Sequence, residues 1–238
     1  MSKNSLVQFK NGFVLGLPIM LGYLPVSFTF GSVAVGGGLS PLSAFLMSLT
    51  NLTSSGQFAV TEIIAEHGAF LEVVMVTLVI NIRYFLMSMA LSQKLEPGTS
   101  IFKKMAFSFG VTDEVFAVAS TQHGKISASF MFGLILTPIL GWSVGTALGA
   151  VAMGFVGESF KNAMGIALYG MFISIIIPPA RAIKPIFKVV LFSAILSAII
   201  FYVPLFKGVG AGTSIIITAI LGALFGAKLF PIREEGDD

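Results

Sequence analysis

The longest charge-free stretch of the chain is residues 11–61, which read NGFVLGLPIMLGYLPVSFTFGSVAVGGGLSPLSAFLMSLTNLTSSGQFAVT. None of these residues is Asp, Glu, Lys or Arg, whereas about a quarter of the residues in a soluble domain are charged. A helix needs about 20 predominantly apolar residues to cross the hydrocarbon core of a bilayer. The stretch therefore predicts that the chain enters a membrane directly after Lys10.

The rest of the 238-residue chain has the same character, with 55% hydrophobic and 11% charged residues overall. The net charge of +3 comes from basic residues that lie between apolar segments, where membrane proteins carry their cytoplasmic anchors. We therefore expect the chain to lie in a lipid bilayer and to bind no nucleic acid. The absence of cysteine excludes disulfides and thiolate metal sites, and we expect no metal and no cofactor.

Apolar segments recur along the whole sequence and predict an all-α polytopic membrane helix bundle. We expect a single transmembrane transporter domain over residues 1–238, with a short acidic tail at 233–238. The segments cover residues 12–36, 41–65, 70–92, 105–122, 128–153, 162–180, 186–205 and 210–230.

Polar residues interrupt two of these segments near their centres. Segment 41–65 contains the polar run 51–57, and segment 105–122 contains Gly110 and residues 112–114. Irregular backbone at membrane depth is tolerated only where protein buries it or where it lines a cavity. Both segments are therefore predicted to be broken or re-entrant helices.

The basic residues favour the re-entrant arrangement with a cytoplasmic N-terminus, because positive charge collects on the cytoplasmic side. In that arrangement eleven basic residues face the cytoplasm, and only Lys161 and Lys207 face outward. If both interrupted segments crossed the membrane, the counts would be eight and five. The eleven are Lys3, Lys10, Lys94, Lys103, Lys104, Lys125, Arg181, Lys184, Lys188, Lys228 and Arg233.

Three charged residues lie near the centres of predicted membrane segments. Arg83 is central between Glu72 and Lys94, and an unpaired charge at mid-bilayer costs at least about 2.5–3.5 kcal/mol. Asp113 and Glu114 are its natural partners, and the acid that does not pair with it would favour the protonated state. We interpret the acids as proton-coupling groups. Alternatively, Arg83 is purely structural and the acids lie in a solvated loop.

Substrate-binding groups are predicted on the polar run and beside Arg83. The candidates are Ser54, Ser55, Gly56, Gln57, Asn81 and Arg83. Their amides, hydroxyls and guanidinium group could hold an α-amino or α-carboxylate group. The alternative is that the polar run is helix-packing material, which is common in membrane bundles.

The first segment carries helix-bending residues, namely Pro18, Gly22 and Pro25, which are either a gating hinge or a static kink. The stretch from Pro18 to Tyr23 is similar to the stretch PILGW at 138–142. An internal repeat would explain this similarity, as in many transporters. The alternative is that proline, glycine and aromatic residues are simply frequent in membrane helices.

These residues also carry a family likeness over nearly the whole chain. The stretches GLPI at 16–19, SSGQF at 54–58, NIRYFLMS at 81–88 and TDE at 112–114 resemble the AzlC family of branched-chain amino acid permeases. The resemblance implies export of branched-chain amino acids, with methionine as a further candidate, from a bacterial cytoplasm across the inner membrane. It also implies a second, small membrane subunit of the AzlD type.

Other functions are weighed against this one. An enzyme is disfavoured, because the sequence has no nucleophile elbow, Walker motif, dinucleotide fingerprint or HExxH run. An amino-acid channel with Arg83 and Asp113 in a fixed filter is one alternative. A structural membrane subunit without a transport path of its own is the other.

Overall fold

The computed structural model describes residues 3–153, 155, 173, 176–206 and 208–231. Five helices of this part are long and apolar enough to cross a membrane, which confirms the predicted all-α polytopic membrane protein. The helices are α1 (Lys3–Gly36), α2 (Pro41–Thr50), α3 (Ser55–Ala65), α4 (Phe70–Ser92), α5 (Ile101–Ser108), α6 (Asp113–Thr121), α7 (Ala128–Ala152), α8 (Lys184–Tyr202) and α9 (Ala211–Leu229). The five candidate membrane spans are α1, α4, α7, α8 and α9.

The chain divides into two compact units. Unit 1 comprises Met1–Phe58 and Asn81–Leu168, and unit 2 comprises Ala59–Ile80 and Tyr169–Asp238. The single domain over 1–238 stays a prediction. Several features of the sequence analysis lie outside the described residues, namely Lys161, Lys207, most of segment 162–180, Arg233 and the rest of the tail at 233–238.

Unit 1 is built on a close pair of parallel helices, α1 and α7. The carbonyl oxygens of Phe9 and Phe28 approach Gly133 and Gly149 so closely that added Cβ atoms would lie only 2.0 and 1.9 Å away. These contacts advance in step along both helices, so α1 and α7 run in the same direction. Small residues recur every four positions on α7, a spacing that lets membrane helices approach closely. They are Gly133, Thr137, Gly141, Gly145 and Gly149.

Both interrupted segments form helical hairpins, as the polar residues predict. The first hairpin comprises α2 and α3, and residues 51–54 between them are not α-helical. Ser54 has a φ of 51°, and the Asn51 side chain accepts a hydrogen bond from the Thr53 backbone N–H at 3.2 Å. The second hairpin comprises α5 and α6, which residues 109–112 separate. Thr112 caps α6 by accepting a hydrogen bond from Val115.

The second hairpin enters unit 1 and returns to the same end. The backbone N–H of Ile126 donates to the Lys94 carbonyl at 2.9 Å, and Glu96 donates back to Ile126 at 2.9 Å. Lys125 also donates to the Gln93 carbonyl at 2.7 Å. The chain therefore leaves α4 and enters α7 at one place, so the hairpin between them is re-entrant.

The direction of α4 within unit 1 bears on the first hairpin. Residues 81–92 of α4 lead from a contact with Thr53 to the start of α7, and Gln57 of the same hairpin as Thr53 bonds to Trp142 in the middle of α7. This part of α4 therefore runs antiparallel to α7 and to α1. That the first hairpin returns to the side from which it came stays a prediction.

Basic residues collect at one end of unit 1. Asn4 and Gln8 of α1, residues 96–99, Lys103 and the first turn of α7 line one polar cavity of about 240 Å³. Lys10, Lys94, Lys104 and Lys125 lie close to it along the chain. At the opposite end, where Gly36 approaches Met153, the described part of unit 1 has no charged residue.

Unit 2 pairs α8 with α9 in antiparallel fashion. Phe192 and Phe225 stack with ring centroids 4.2 Å apart, and the Lys188 ammonium lies 5.3 Å from the centre of the Phe230 ring. The N-terminus of α9 is capped by Glu72, which accepts a hydrogen bond from the Thr213 backbone N–H at 2.8 Å. A small apolar cluster of Ala59, Ile63 and Val76 completes this unit.

Candidate functional site

The tips of the two hairpins line an open cavity of about 90 Å³ in unit 1. This volume has room for several waters, since one water needs about 10–15 Å³ of such space. The lining combines hydroxyl and amide groups with apolar side chains. It consists of Thr50, Asn51, Leu52 and Thr53 from the first hairpin, Tyr84 from α4, and Ser108, Phe109, Val111 and Thr112 from the second.

α4 contacts both tips through residues only two positions apart. Asn81 accepts a hydrogen bond from the Thr53 hydroxyl of the first hairpin. Arg83 contacts the second hairpin. Two positions correspond to about 200° around a helix with 3.6 residues per turn, so one regular helix presents these two side chains in nearly opposite directions.

The predicted pairing of Arg83 with one of the two acids is confirmed. Arg83 Nη1 lies 2.8 Å from Asp113 Oδ2, and the two side chains are 45% and 48% exposed. The Arg83 guanidinium also donates to the Tyr84 hydroxyl at 3.3 Å and lies 5.0 Å from the centre of that ring. The ion pair therefore borders the cavity through Tyr84 and Thr112, the chain neighbours of its two members.

Glu114 has a different partner from Asp113. The Tyr23 hydroxyl of α1 donates to Glu114 Oε2 at 2.5 Å and lies 2.8 Å from the Thr112 hydroxyl. The two adjacent acids thus bind two different helices, Asp113 to α4 and Glu114 to α1. This separation lets both carboxylates keep a polar partner in an apolar setting.

The predicted substrate residues of the polar run lie just beyond the cavity lining. Gln57 is fully buried, and its amide accepts from the Trp142 indole N–H at 2.8 Å and donates to Ser48 at 3.0 Å. Gly56 lies so close to Thr53 that an added Cβ would be 2.7 Å from its side chain. Ser54 and Ser55 form the turn into α3. Their role in binding substrate stays a prediction.

The predicted hinge lies inside a continuous helix, since α1 runs from Lys3 to Gly36 through both Pro18 and Pro25. A Cβ at Gly22 would meet no atom within 4 Å, so this glycine is not required for packing against another helix. Open space around Gly22 is compatible with both a hinge and a static bend. The hinge stays a prediction.

Sequence reasoning missed several polar contacts of this site. Tyr23, Ser48 and Thr112 carry hydrogen bonds that position the hairpins, and Trp142 donates to Gln57. Trp142 is only 1% exposed, so the ring that makes this bond packs inside unit 1. The two similar stretches at 18–23 and 138–142 could have indicated these contacts, because each ends in an aromatic residue with a hydrogen-bond donor.

The family described as AzlC protein matches residues 18–156, more than half of the chain. The chain belongs to the AzlC family. The matching part contains both hairpins, Arg83 and the two acids. No solved structure matches the chain.

Curated relatives of this AzlC-family chain are membrane proteins from archaea and bacteria. A membrane protein of Archaeoglobus fulgidus is 31% identical over 176 residues, which are 72% of this chain and 75% of the relative. The inner membrane protein YgaZ of Escherichia coli is 27% identical, with 71% and 72% covered. The branched-chain amino acid transport protein AzlC of Bacillus subtilis is 27% identical, with 66% and 63% covered. These similarities place the chain among membrane transport proteins.

Proposed function

We propose that this chain is the large subunit of a secondary transporter that exports branched-chain amino acids, with methionine as a further candidate substrate, across the bacterial inner membrane. In this proposal transport is coupled to protons and requires a small AzlD-type membrane subunit. The observation that carries the proposal is the meeting of two hairpins at a polar cavity beside the Arg83–Asp113 ion pair. Irregular backbone and intramembrane charge together are typical of transporter sites.

An amino-acid zwitterion would find chemical partners on the cavity lining and on the neighbouring Arg83 side chain. The Arg83 guanidinium can bind the α-carboxylate through two parallel hydrogen bonds. The N-terminus of α3 adds partial positive charge, and Asn51, Thr53 and Thr112 offer oxygen acceptors to the α-ammonium group. Leu52, Phe109 and Val111 provide an apolar lining for a branched side chain.

Proton coupling follows from competition for Arg83. When the substrate carboxylate binds the guanidinium group, Asp113 loses its partner and favours the protonated state in an apolar setting. When the substrate leaves, Arg83 pairs with Asp113 again and the carboxyl group releases its proton. Glu114 keeps its partner Tyr23 through this exchange, so we assign Asp113 the exchanging proton and Glu114 a supporting role.

The open side of the ion pair favours a second membrane subunit. Arg83 and Asp113 are each nearly half exposed, and α4 surrounds Arg83 with exposed apolar side chains, among them Ile82, Phe85 and Leu86. A charge in this position requires protein or water over it. A small membrane subunit that packs on α4 would supply that cover.

The cytoplasmic position of the N-terminus rests on the basic end of unit 1. Lys3, Lys10, Lys94, Lys103, Lys104 and Lys125 all lie at or near the end where α1 and α7 begin. Basic residues in short loops favour the cytoplasmic side. The first hairpin would then enter from outside and the second from the cytoplasm, which gives each side of the membrane one movable tip.

Labelled leucine, isoleucine and valine can be followed out of cells that express this chain with its small partner, the chain alone, or neither. We expect saturable efflux only with both subunits. Because substrate and proton bind and leave together in this scheme, an inward proton gradient should slow efflux and an outward one should accelerate it. Arg83→Lys, which keeps the charge but loses the planar fork, should raise the substrate concentration for half-maximal rate. Efflux that does not saturate would indicate a channel instead. Full efflux by Arg83→Ala would show that Arg83 does not belong to the substrate site.

A further inference from the structure

The two similar stretches at 18–23 and 138–142 meet in space at their aromatic ends. The parallel packing of α1 and α7 brings Tyr23 and Trp142 into an edge contact, with ring centroids 5.3 Å apart and ring planes at 77°. Phe30 of α1 also stacks on Trp142, with ring centroids 6.4 Å apart. Trp142 therefore contacts two rings of α1 in the buried part of unit 1.

Each ring of this contact holds one hairpin. Tyr23 donates to Glu114 and lies within hydrogen-bond distance of Thr112, both at the tip of the second hairpin. Trp142 donates to Gln57 of the first hairpin, and Gln57 donates to Ser48. Ser48 in turn lies 2.7 Å from the Thr146 hydroxyl of α7, so the first hairpin is fixed to α7 at two points.

We infer that the Tyr23–Trp142 pair is a positioning junction that couples the two hairpins, so that a change at one tip alters the geometry of the other. A close-packed interior does not deform continuously, so one ring cannot reorient without displacing the other. The Tyr23 hydroxyl has a single proton, so it can donate to Glu114 or to Thr112, the cap of α6, but not to both at once.

This inference rests on the proposed function, because coupled hairpins matter only if the hairpins gate a transport path. It explains how two tips that enter from opposite ends could avoid opening together. The contact is made by α1 and α7, and the closely packed glycines of α7 keep the two backbones in register. Tyr23 and Trp142 are therefore positioning residues, since neither lines the cavity.

The sequence offers a direct probe, because Trp142 is the only tryptophan of the chain. Its fluorescence can be recorded on the purified protein in detergent, without amino acid or proton gradient. We expect Glu114→Ala, at a residue that touches Tyr23 and not the indole, to change the emission of Trp142. Tyr23→Phe should change it in the same direction. The matched control is Asp113→Ala, on the same turn of α6 but bound to Arg83, which should leave the emission unchanged.

A second measurement uses the absence of cysteine and reads the hairpins themselves. Thr50→Cys and Ser108→Cys place a thiol on the cavity side of the first and second hairpins. We expect Trp142→Phe to change the maleimide-labelling rate at Ser108→Cys several-fold, although Trp142 bonds to the other hairpin. Tyr23→Phe should likewise change the rate at Thr50→Cys. Phe13→Leu, on α1 but away from the junction, should change neither rate.

The inference is overturned if each substitution alters labelling only on the hairpin to which it bonds. It is also overturned if Asp113→Ala changes the Trp142 emission as much as Glu114→Ala does, because general loosening of the second hairpin would then suffice. Neither measurement requires transport. Coupled hairpins without leucine efflux would therefore contradict the proposed function alone, and efflux without coupling would contradict this inference alone.

Discussion

Arg83 and Asp113 neutralise each other in a region where neither charge could be left alone cheaply. Their pairing could be predicted because each acid or base stands in the middle of a long charge-free segment. The partners of Glu114 and Gln57 could not be predicted in the same way. Tyr23 and Trp142 lie 91 and 85 positions away along the chain, and aromatic rings in an apolar segment look like ordinary hydrophobic residues until packing brings their donors to a partner.

The ion pair predicts a specific rescue. Arg83→Ala leaves Asp113 without its partner. An unpaired charge costs about 2.5–3.5 kcal/mol at the bilayer centre on insertion scales, and less where water reaches the carboxylate. The amount of folded protein in membranes should fall. Arg83→Ala combined with Asp113→Asn should restore it, because the orphan charge is removed. The control is Arg83→Ala combined with Glu114→Gln, which should not restore it, since Glu114 binds Tyr23. Equal recovery with both acids would contradict the assigned pair.

Gln57 predicts a loss of stability upon removal of its amide. Gln57→Leu leaves the buried Trp142 N–H without its acceptor and removes the amide that donates to Ser48. An unsatisfied buried polar group costs about 1–3 kcal/mol, so thermal unfolding in detergent should begin at a clearly lower temperature. The control is Ser55→Ala in the first turn of α3, which removes a 3.4 Å hydrogen bond to the Thr53 carbonyl and leaves these bonds in place. An unchanged unfolding temperature in Gln57→Leu would show that the bonds of Gln57 contribute little.

At the scale of elements, the helix breaks follow from the polar runs, because unpaired backbone and side-chain polar groups can be tolerated only at protected places in a bilayer. The direction of each hairpin required more than the sequence pattern. It depends on hydrogen bonds such as that between Lys94 and Ile126, which join segments far apart in sequence. The parallel pairing of α1 and α7 was equally hidden, although the glycines that permit it recur at four-residue spacing on α7.

The packing of α1 against α7 predicts opposite outcomes for a glycine substitution in the contact and for one outside it. Gly149→Ala would place a Cβ 1.9 Å from the Phe28 carbonyl oxygen, a backbone atom that cannot turn away. Such overpacking costs typically about 1–3 kcal/mol, so the unfolding temperature should fall. Gly22→Ala meets open space and should keep or raise the stability, because alanine favours helix. Slower efflux by a stable Gly22→Ala variant would support the hinge, and loss of stability there would contradict the packing described for α1.

At the scale of the whole molecule, charge and connectivity agree. The loop at 94–100 and the starts of α1 and α7 share the basic end of unit 1, as the positive-inside count predicts for the re-entrant arrangement. Composition alone predicted the membrane class. The five described helices that are long and apolar enough to span a membrane confirm it. The side of the membrane on which each end lies is set by interaction with the bilayer, so it is assigned by labelling in cells.

Single cysteines in the cysteine-free chain provide that assignment. Pro97→Cys marks the basic end of unit 1, and Gly37→Cys marks the opposite end, both at exposed positions. An impermeant thiol reagent should label Gly37→Cys on intact cells and Pro97→Cys only after the membrane is opened. Ala69→Cys, between α3 and α4, should be labelled from outside together with Gly37→Cys, because a re-entrant first hairpin returns to its own side. If Ala69→Cys is labelled only after opening while Gly37→Cys is labelled on intact cells, the first hairpin crosses the membrane. Outside labelling of Pro97→Cys would reverse the proposed orientation.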